Sequence, residues 1–145
     1  MPVFEHEARV RYSDTDVSTR IHNAAMLVHF ENAEADFLRH LGMPLSGMST
    51  NNLGFPRVHV EADFLAPMKY DDVMHIAVHV ERLGNSAYTL AFAARVGEMP
   101  TAMGKITVVC VDPSTGRSTA IPDRMRAALT AYREANPQPA IESAR

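Results

Sequence analysis

Polar and apolar residues alternate over positions 4–12. Phe4, His6, Ala8, Val10 and Tyr12 fall on one side, and Glu5, Glu7, Arg9 and Arg11 on the other. A period of two predicts a strand with one buried and one solvated face. A polar loop follows, from Ser13 to His22. The period then changes: Met26, Phe30, Ala33, Phe37 and Leu41 recur at helical spacing, and Leu27, Val28, Ala35 and Leu38 widen the stripe. A helix that is apolar nearly all round in its first half is a buried helix. Asn23 is the expected N-cap, its side-chain oxygen bonding a free N–H of the first turn. Arg39, His40 and Gly42, with Pro44 beyond, form the stop.

Beyond the helix the period returns to two. Val58, Val60, Ala62 and Phe64 form one strand and Met74, Ile76, Val78 and Val80 a second. Tyr88, Leu90, Phe92, Ala94 and Val96 form a third, and residues 102–112 a fourth. Gly84-Asn85 suits a two-residue hairpin turn between the second and third. Arg124 to Glu134 can make a short terminal helix, and the chain from Asn136 to Arg145 reads as a flexible tail. No helices separate the last four strands, so a parallel βαβ sheet is excluded and short turns make them an antiparallel meander. The predicted architecture is α+β: one domain over 1–135, with a curved antiparallel five-stranded sheet wrapped around one long central helix.

Composition narrows the function classes. The chain has 145 residues, 46% apolar and 21% charged, with a net charge of −3 and no run of Lys or Arg. Nucleic acid binding needs a concentrated basic face, so it is not expected. The longest purely apolar run, Ala24 to Val28, is far too short to cross a bilayer. The first residues carry neither the basic nor the apolar region of a signal peptide, and a cytoplasmic location is the default expectation. The single cysteine, Cys110, lies in an apolar strand and reads as a buried, inert thiol. His59, His75 and His79 lie on strands without a metal-ligand spacing, so neither a metal nor a cofactor is expected. There is no Gly-x-Ser-x-Gly elbow, Ser46-Gly47 being only a turn, and no phosphate loop around the lone strand glycine Gly104.

In the polar loop, Ser-Asp-Thr-Asp is ordinary turn chemistry. Read from residues alone, Asp14 and Asp16 are solvated loop carboxylates. The segment Val10-Arg11-Tyr12-Ser13-Asp14-Thr15-Asp16, followed by Ile21-His22-Asn23-Ala24 and His29-Phe30-Glu31-Asn32-Ala33, resembles the 4-hydroxybenzoyl-CoA thioesterase-like family of hotdog proteins. The resemblance extends through Ala62 to Asp72, Leu83 to Ser86, and Val111 to Arg117 with Ile121-Pro122, so it covers roughly residues 4–130.

The resemblance implies a hotdog fold and hydrolysis of acyl-CoA thioesters. Asp16 would be the catalytic carboxylate, either attacking the thioester or drawing a proton from water. The backbone N–H of Asn23, at the positive start of the helix, would polarise the thioester carbonyl. Asp14 is the substitute for Asp16. His22, Met26, Phe30, Phe55 and Ser86 are candidate substrate contacts, with Leu53 beside them. Glu31, two turns into the helix, reads as a buried polar contact or an interface residue. Thr19 stands where the family pattern has a Gly suited to a left-handed turn, so the loop is expected to take a different path there. The resemblance also implies a homodimer or homotetramer with the site between subunits. Two alternatives stay open: a hydratase or dehydratase of acyl thioesters, and a domain that binds acyl-CoA or a protein without turnover.

Overall fold

The computed structural model describes residues 1–44 and 52–139. Ser46-Gly47 and residues 140–145 of the expected tail lie outside the described residues. The elements are β1 (Glu5–Arg9), α1 (Asn23–His40), β2 (Arg57–Phe64), β3 (Val73–Leu83), β4 (Ala87–Val96), β5 (Met99–Val109) and α2 (Asp123–Ala135). All five strands form one antiparallel sheet in the order β1-β3-β4-β5-β2. Register shifts interrupt β2 after Arg57, β3 after Val80 and β4 after Ala94. Such bulges add local bend and twist, which curves the sheet around α1.

The structure corrects the expected meander at one strand. β3, β4 and β5 follow one another as expected, but β2 lies beyond β5 and does not touch β3. The reason is the connection. Residues 65–72 are long for a hairpin loop, and Leu65 and Ala66 both donate their N–H groups to Thr101 O, carrying the chain across the end of the sheet. The β3–β4 turn is also shifted by one residue. Gly84 N–H donates to Ala87 O at 2.8 Å, so the two turn residues are Asn85 and Ser86.

α1 lies against the sheet with Met26, Phe30, Ala33 and Phe37 fully buried, as the stripe predicts. Phe30 stacks on Phe92 with centroids 5.2 Å apart. Gly104 makes the seat: a Cβ there would meet the Phe30 ring at 2.3 Å and Glu61 O at 2.9 Å. At the helix start, His22 holds the N-cap position and Asn23 is the first helical residue, so the expected Asn23 side-chain cap is absent. Gly42, at φ +81°, ends the helix as expected.

A second helix of 13 residues, α2, revises the picture of one central helix. β1 pairs only with residues 73–77 of β3, which leaves the rest of that edge open. α2 fills it. Tyr132 Oη donates to Val78 O at 2.6 Å and accepts Phe4 N–H at 2.9 Å. Arg126 donates to Gly84 O and Arg133 to Glu81 O. The buried ring of Tyr132 also packs edge-on against Phe37 of α1. Just after α2, Asn136 is buried and bonded to Tyr132 O.

Among the described residues the other edge has no such cover. Val58, Val60 and Phe64 of β2 are 60%, 43% and 47% exposed. Their alternation predicted a buried face, but these three side chains stay exposed in the single chain.

Candidate functional site

The loop between β1 and α1 is built on Asp14. A short 3-10 turn, Tyr12–Asp14, leaves the strand. Asp14 Oδ2 accepts the Arg11 N–H at 2.8 Å and lies 2.9 Å from Nε2 of His29, while Asp14 O accepts the His22 N–H at 2.7 Å. Burial alone would raise the Asp14 carboxyl, but the Arg11 and His29 bonds outweigh it and hold it below the usual carboxylate range. Asp14 is thus an anchor.

Above this anchor the chain folds back on itself. Asp16 N–H donates to Arg20 O, Thr19 N–H donates to Asp16 O, and Ile21 N–H ties the loop to Met68 O. Thr19 adopts φ +66°. The substitution therefore does not force the backbone out of the left-handed region, as its side chain led one to expect, and the local strain is carried by a β-branched residue instead. Thr19→Gly is expected to stabilise the fold by up to about 1 kcal/mol, the relief of the left-handed cost being partly offset by the extra unfolded-state freedom of glycine. A thermal melt would read this as a higher Tm.

Asp16 sits at the tip of the loop with its side chain 41% exposed. Its Oδ1 accepts the Ser18 hydroxyl at 2.5 Å and the Ser18 N–H at 2.8 Å. Oδ2 lies 3.9 Å from His22 Nδ1. The two Ser18 bonds, with a smaller pull from His22, hold the Asp16 carboxyl below the usual range against some desolvation. It is a carboxylate at neutral pH, standing beside the residue that precedes Asn23. Among the described residues the Asn23 and Ala24 N–H groups have no acceptor, since the first bond of this helix is Ala25 N–H to His22 O. A partly exposed carboxylate and helix-start donors without an acceptor among the described residues thus flank His22.

The Ser18 bonds set where Asp16 titrates. Removing the hydroxyl should let its pKa return toward the ordinary Asp value, so a rate that needs the carboxylate should lose activity at a higher pH. Ser18→Ala is expected to raise the Asp16 pKa toward the ordinary Asp value, read by NMR titration of the Asp16 carboxyl carbon.

The remaining expected contacts divide. Met26 and Phe30 are fully buried in the core directly behind the junction. Leu53 and Phe55 are partly buried against that core. Phe55 and Ser86, however, lie at the other end of the sheet. Phe55 precedes Arg57, which pairs with Val108 and, through it, with Tyr88. The Asp16 loop adjoins the end where Phe64, Ala102 and Ala94 pair. From Ala87 to Ala94 is about 23 Å along a strand, so one chain does not bring Ser86 to Asp16.

Glu31 is exposed, whereas Glu34 is buried and takes two bonds from Arg57, Nη2 at 2.6 Å and Nε at 3.1 Å. Burial pushes the Glu34 carboxyl up and Arg57 pulls it back only in part. Neither this pair nor the role of His29 is in the sequence reading, although both residues fall on the inward stripe of α1. Of the strand histidines, His59 pairs with Glu61 and His75 with Glu7, while His79 is buried. Cys110 is buried, and that burial pushes its thiol up. A cavity of about 380 Å³, lined by Phe4, His6, Asp36, Arg39 and His40 among others, opens between β1 and the last turns of α1. It lies at the far end of the helix from Asn23 and contains none of the loop residues. Among the described residues no helix is long and apolar enough to cross a membrane.

Residues 10–129 match the family model of the thioesterase-like superfamily. A 1,4-dihydroxy-2-naphthoyl-CoA hydrolase of Nostoc punctiforme is 28% identical over 123 residues, covering 84% of this chain and 83% of the relative. Among solved structures, a 1,4-dihydroxy-2-naphthoyl-CoA thioesterase from Synechocystis superposes with a TM-score of 0.83 at 19% identity, covering 89% of this chain and 96% of the other. A Staphylococcus aureus protein in complex with CoA superposes with a TM-score of 0.90 at 15% identity, covering 98% and 90%. At those identities the two structures speak for the fold alone: an antiparallel five-stranded sheet curved about a helix.

Proposed function

We propose that this chain, which belongs to the thioesterase-like superfamily, hydrolyses acyl-CoA thioesters, with Asp16 as the carboxylate that delivers the attacking oxygen. The observation that carries the reading is the junction itself: an ionised, accessible Asp16 beside helix-start N–H groups that have no acceptor among the described residues. Hydrolysis needs an attacking oxygen and a place for the charge that develops on the carbonyl oxygen. Asp16 either attacks the carbonyl carbon, giving a mixed anhydride that water then opens, or takes a proton from the attacking water. In both routes the C–S bond breaks, and the thiolate of CoA leaves and is protonated. The Asn23 N–H, at the positive end of the α1 dipole, holds the oxyanion. His22, one residue earlier, is close enough to Asp16 to tune it. The aromatic acyl group in the relatives' names makes aromatic acyl-CoAs the first substrates to try.

The working unit is a homo-oligomer. Among the described residues β2 is an edge strand with no partner on its outer side, and it carries the exposed Val58, Val60 and Phe64, a surface that invites strand pairing. Pairing two copies antiparallel through β2 would bring the start of one β2 beside the end of the other. That supports placing Phe55 and Ser86 of one copy near Asp16 of the next. Sedimentation should then give at least twice the chain mass of 16.0 kDa, and Val60→Lys should shift it toward one chain.

Purified protein should release thiol from acyl-CoAs in a panel of aromatic, short, long and branched acyl groups, fastest with the aromatic ones. Silence across the whole panel would refute the reading. Turnover confined to a non-aromatic acyl class would keep the reaction and reject the substrate class.

A further inference from the structure

We propose that His29 is a positioning residue for this hydrolysis, clamping the Asp16 loop onto α1 through Asp14. The inference rests on the acyl-CoA reading above. His29 lies two turns into α1, and helical side chains lean toward the N-terminus, so its ring reaches back to the loop. Nε2 lies 2.9 Å from Asp14 Oδ2, with the two side chains only 6% and 16% exposed. Asp14 also takes the Arg11 N–H on the same oxygen and the His22 N–H on its carbonyl. One residue therefore joins the end of β1, the cap of α1 and the second turn of α1.

The intervening residues move as a unit. The Thr15–Ile21 bridge and the Asp16–Arg20 and Thr19–Asp16 bonds close the loop internally, the Ile21–Met68 bond and the Arg20–Lys69 bridge hold its returning strand, and Asp14 holds the side that leads into Asp16. A tilt at Asp14 swings Asp16 relative to the Asn23 N–H. The chemistry of the bond fits a fixed strut. The ionised Asp14 accepts, so Nε2 carries the proton. Nδ1 is buried with no partner among the described residues, and a proton there would be an unsatisfied buried donor. His29 thus serves as a donor that holds one geometry.

His29→Leu removes the donor at similar size, His29→Gln restores an N–H near the Nε2 position, and His29→Asn places its amide too short to reach. Steady-state kinetics should show kcat lowered about 10- to 100-fold in the Leu and Asn variants with KM little changed, and most of the loss recovered in Gln. Asp14→Ala should lose a similar factor, and Asp14→Ala/His29→Leu no more than the worse single change. Amide exchange reads the clamp without turnover: the His22 and Thr19 N–H groups should exchange faster in Leu or Asn than in Gln or wild type. Should Leu fail to fold, the Gln–Asn comparison carries the test. Wild-type kcat in Leu or Asn, a Gln variant no better than Asn, or additive losses would overturn the role of His29 while leaving the thioesterase reading intact. A wild type that releases no thiol would refute that reading instead. Unchanged amide exchange would then overturn the clamp as well, and faster exchange would support it.

Discussion

Asp16→Asn is expected to lower kcat for acyl-CoA hydrolysis about 10²- to 10⁴-fold, the range that a positioned base or nucleophile contributes, with little change in stability. The near-selective loss follows from what the amide keeps. Its oxygen can still accept the Ser18 hydroxyl and N–H, as Asp16 Oδ1 does, so the turn at the loop tip survives. The negative charge is lost, and with it both the attacking oxygen and the capacity to take a proton. The pH profile should change accordingly. The wild-type rate should rise with pH as Asp16 ionises, below the ordinary Asp range because of the Ser18 bonds, and that rise should vanish in the variant. Asp14→Asn provides the contrast. Asp14 is already committed to Arg11 and His29, so its loss should disturb the loop and weaken the fold without removing the reacting group. A full loss of activity in Asp14→Asn with turnover kept in Asp16→Asn would reverse the assignment of the two carboxylates.

What the sequence makes legible is whatever its periodicity controls. The α1 stripe of Met26, Phe30, Ala33 and Phe37 and the β3–β4–β5 alternation each reappear with their apolar faces buried. The position of β2 does not, because strand order depends on where an eight-residue connection travels, and alternation is blind to neighbours. For the same reason the apolar face of β2 is written in the sequence as buried, although one chain leaves it open. α2 is legible as a helix but not as the cover of the β3 edge, since that role is defined by carbonyls that β1 leaves unpaired. Asp16 and Asn23 are singled out only through motif resemblance, and that they flank His22 at one junction becomes visible only in three dimensions. His29 and Glu34 carry a sequence signal of their own. Both lie at helical spacing from Met26 and Phe30, and a polar residue on an inward stripe requires a buried partner. The stripe cannot say which loop or strand supplies that partner.

The Glu34 partner gives the largest expected effect on stability. Arg57→Met should destabilise the fold by about 3–5 kcal/mol at neutral pH, because it leaves a buried carboxylate uncompensated. For a chain of this size that is a fall in Tm on the order of 10 °C. Glu34 is 2% exposed, both Arg57 bonds fall on Oε1, and Oε2 has no partner among the described residues. Tyr88, buried with its own hydroxyl unpaired among the described residues, is pushed up by burial and by the Glu34 charge. Arg57 also donates Nη1 to Phe55 O at 2.7 Å, so its loss frees the segment entering β2. The pH dependence identifies the cause. The folded pKa of Glu34 is already raised by burial, so the folded state binds the proton more tightly and this group's contribution worsens as pH rises above the unfolded Glu value. Without Arg57 the folded pKa rises further. The deficit of the variant relative to wild type should therefore grow with pH above the raised folded pKa of Glu34 in the wild type, and shrink as acid neutralises Glu34. Glu34→Leu/Arg57→Met should recover most of the loss at neutral pH, since a packed apolar pair carries no desolvation cost. Denaturant melts of the three proteins at two pH values separate the outcomes. A deficit independent of pH, or a double variant no better than Arg57→Met, would mean that Arg57 stabilises by packing and by its Phe55 bond, with the buried charge contributing little.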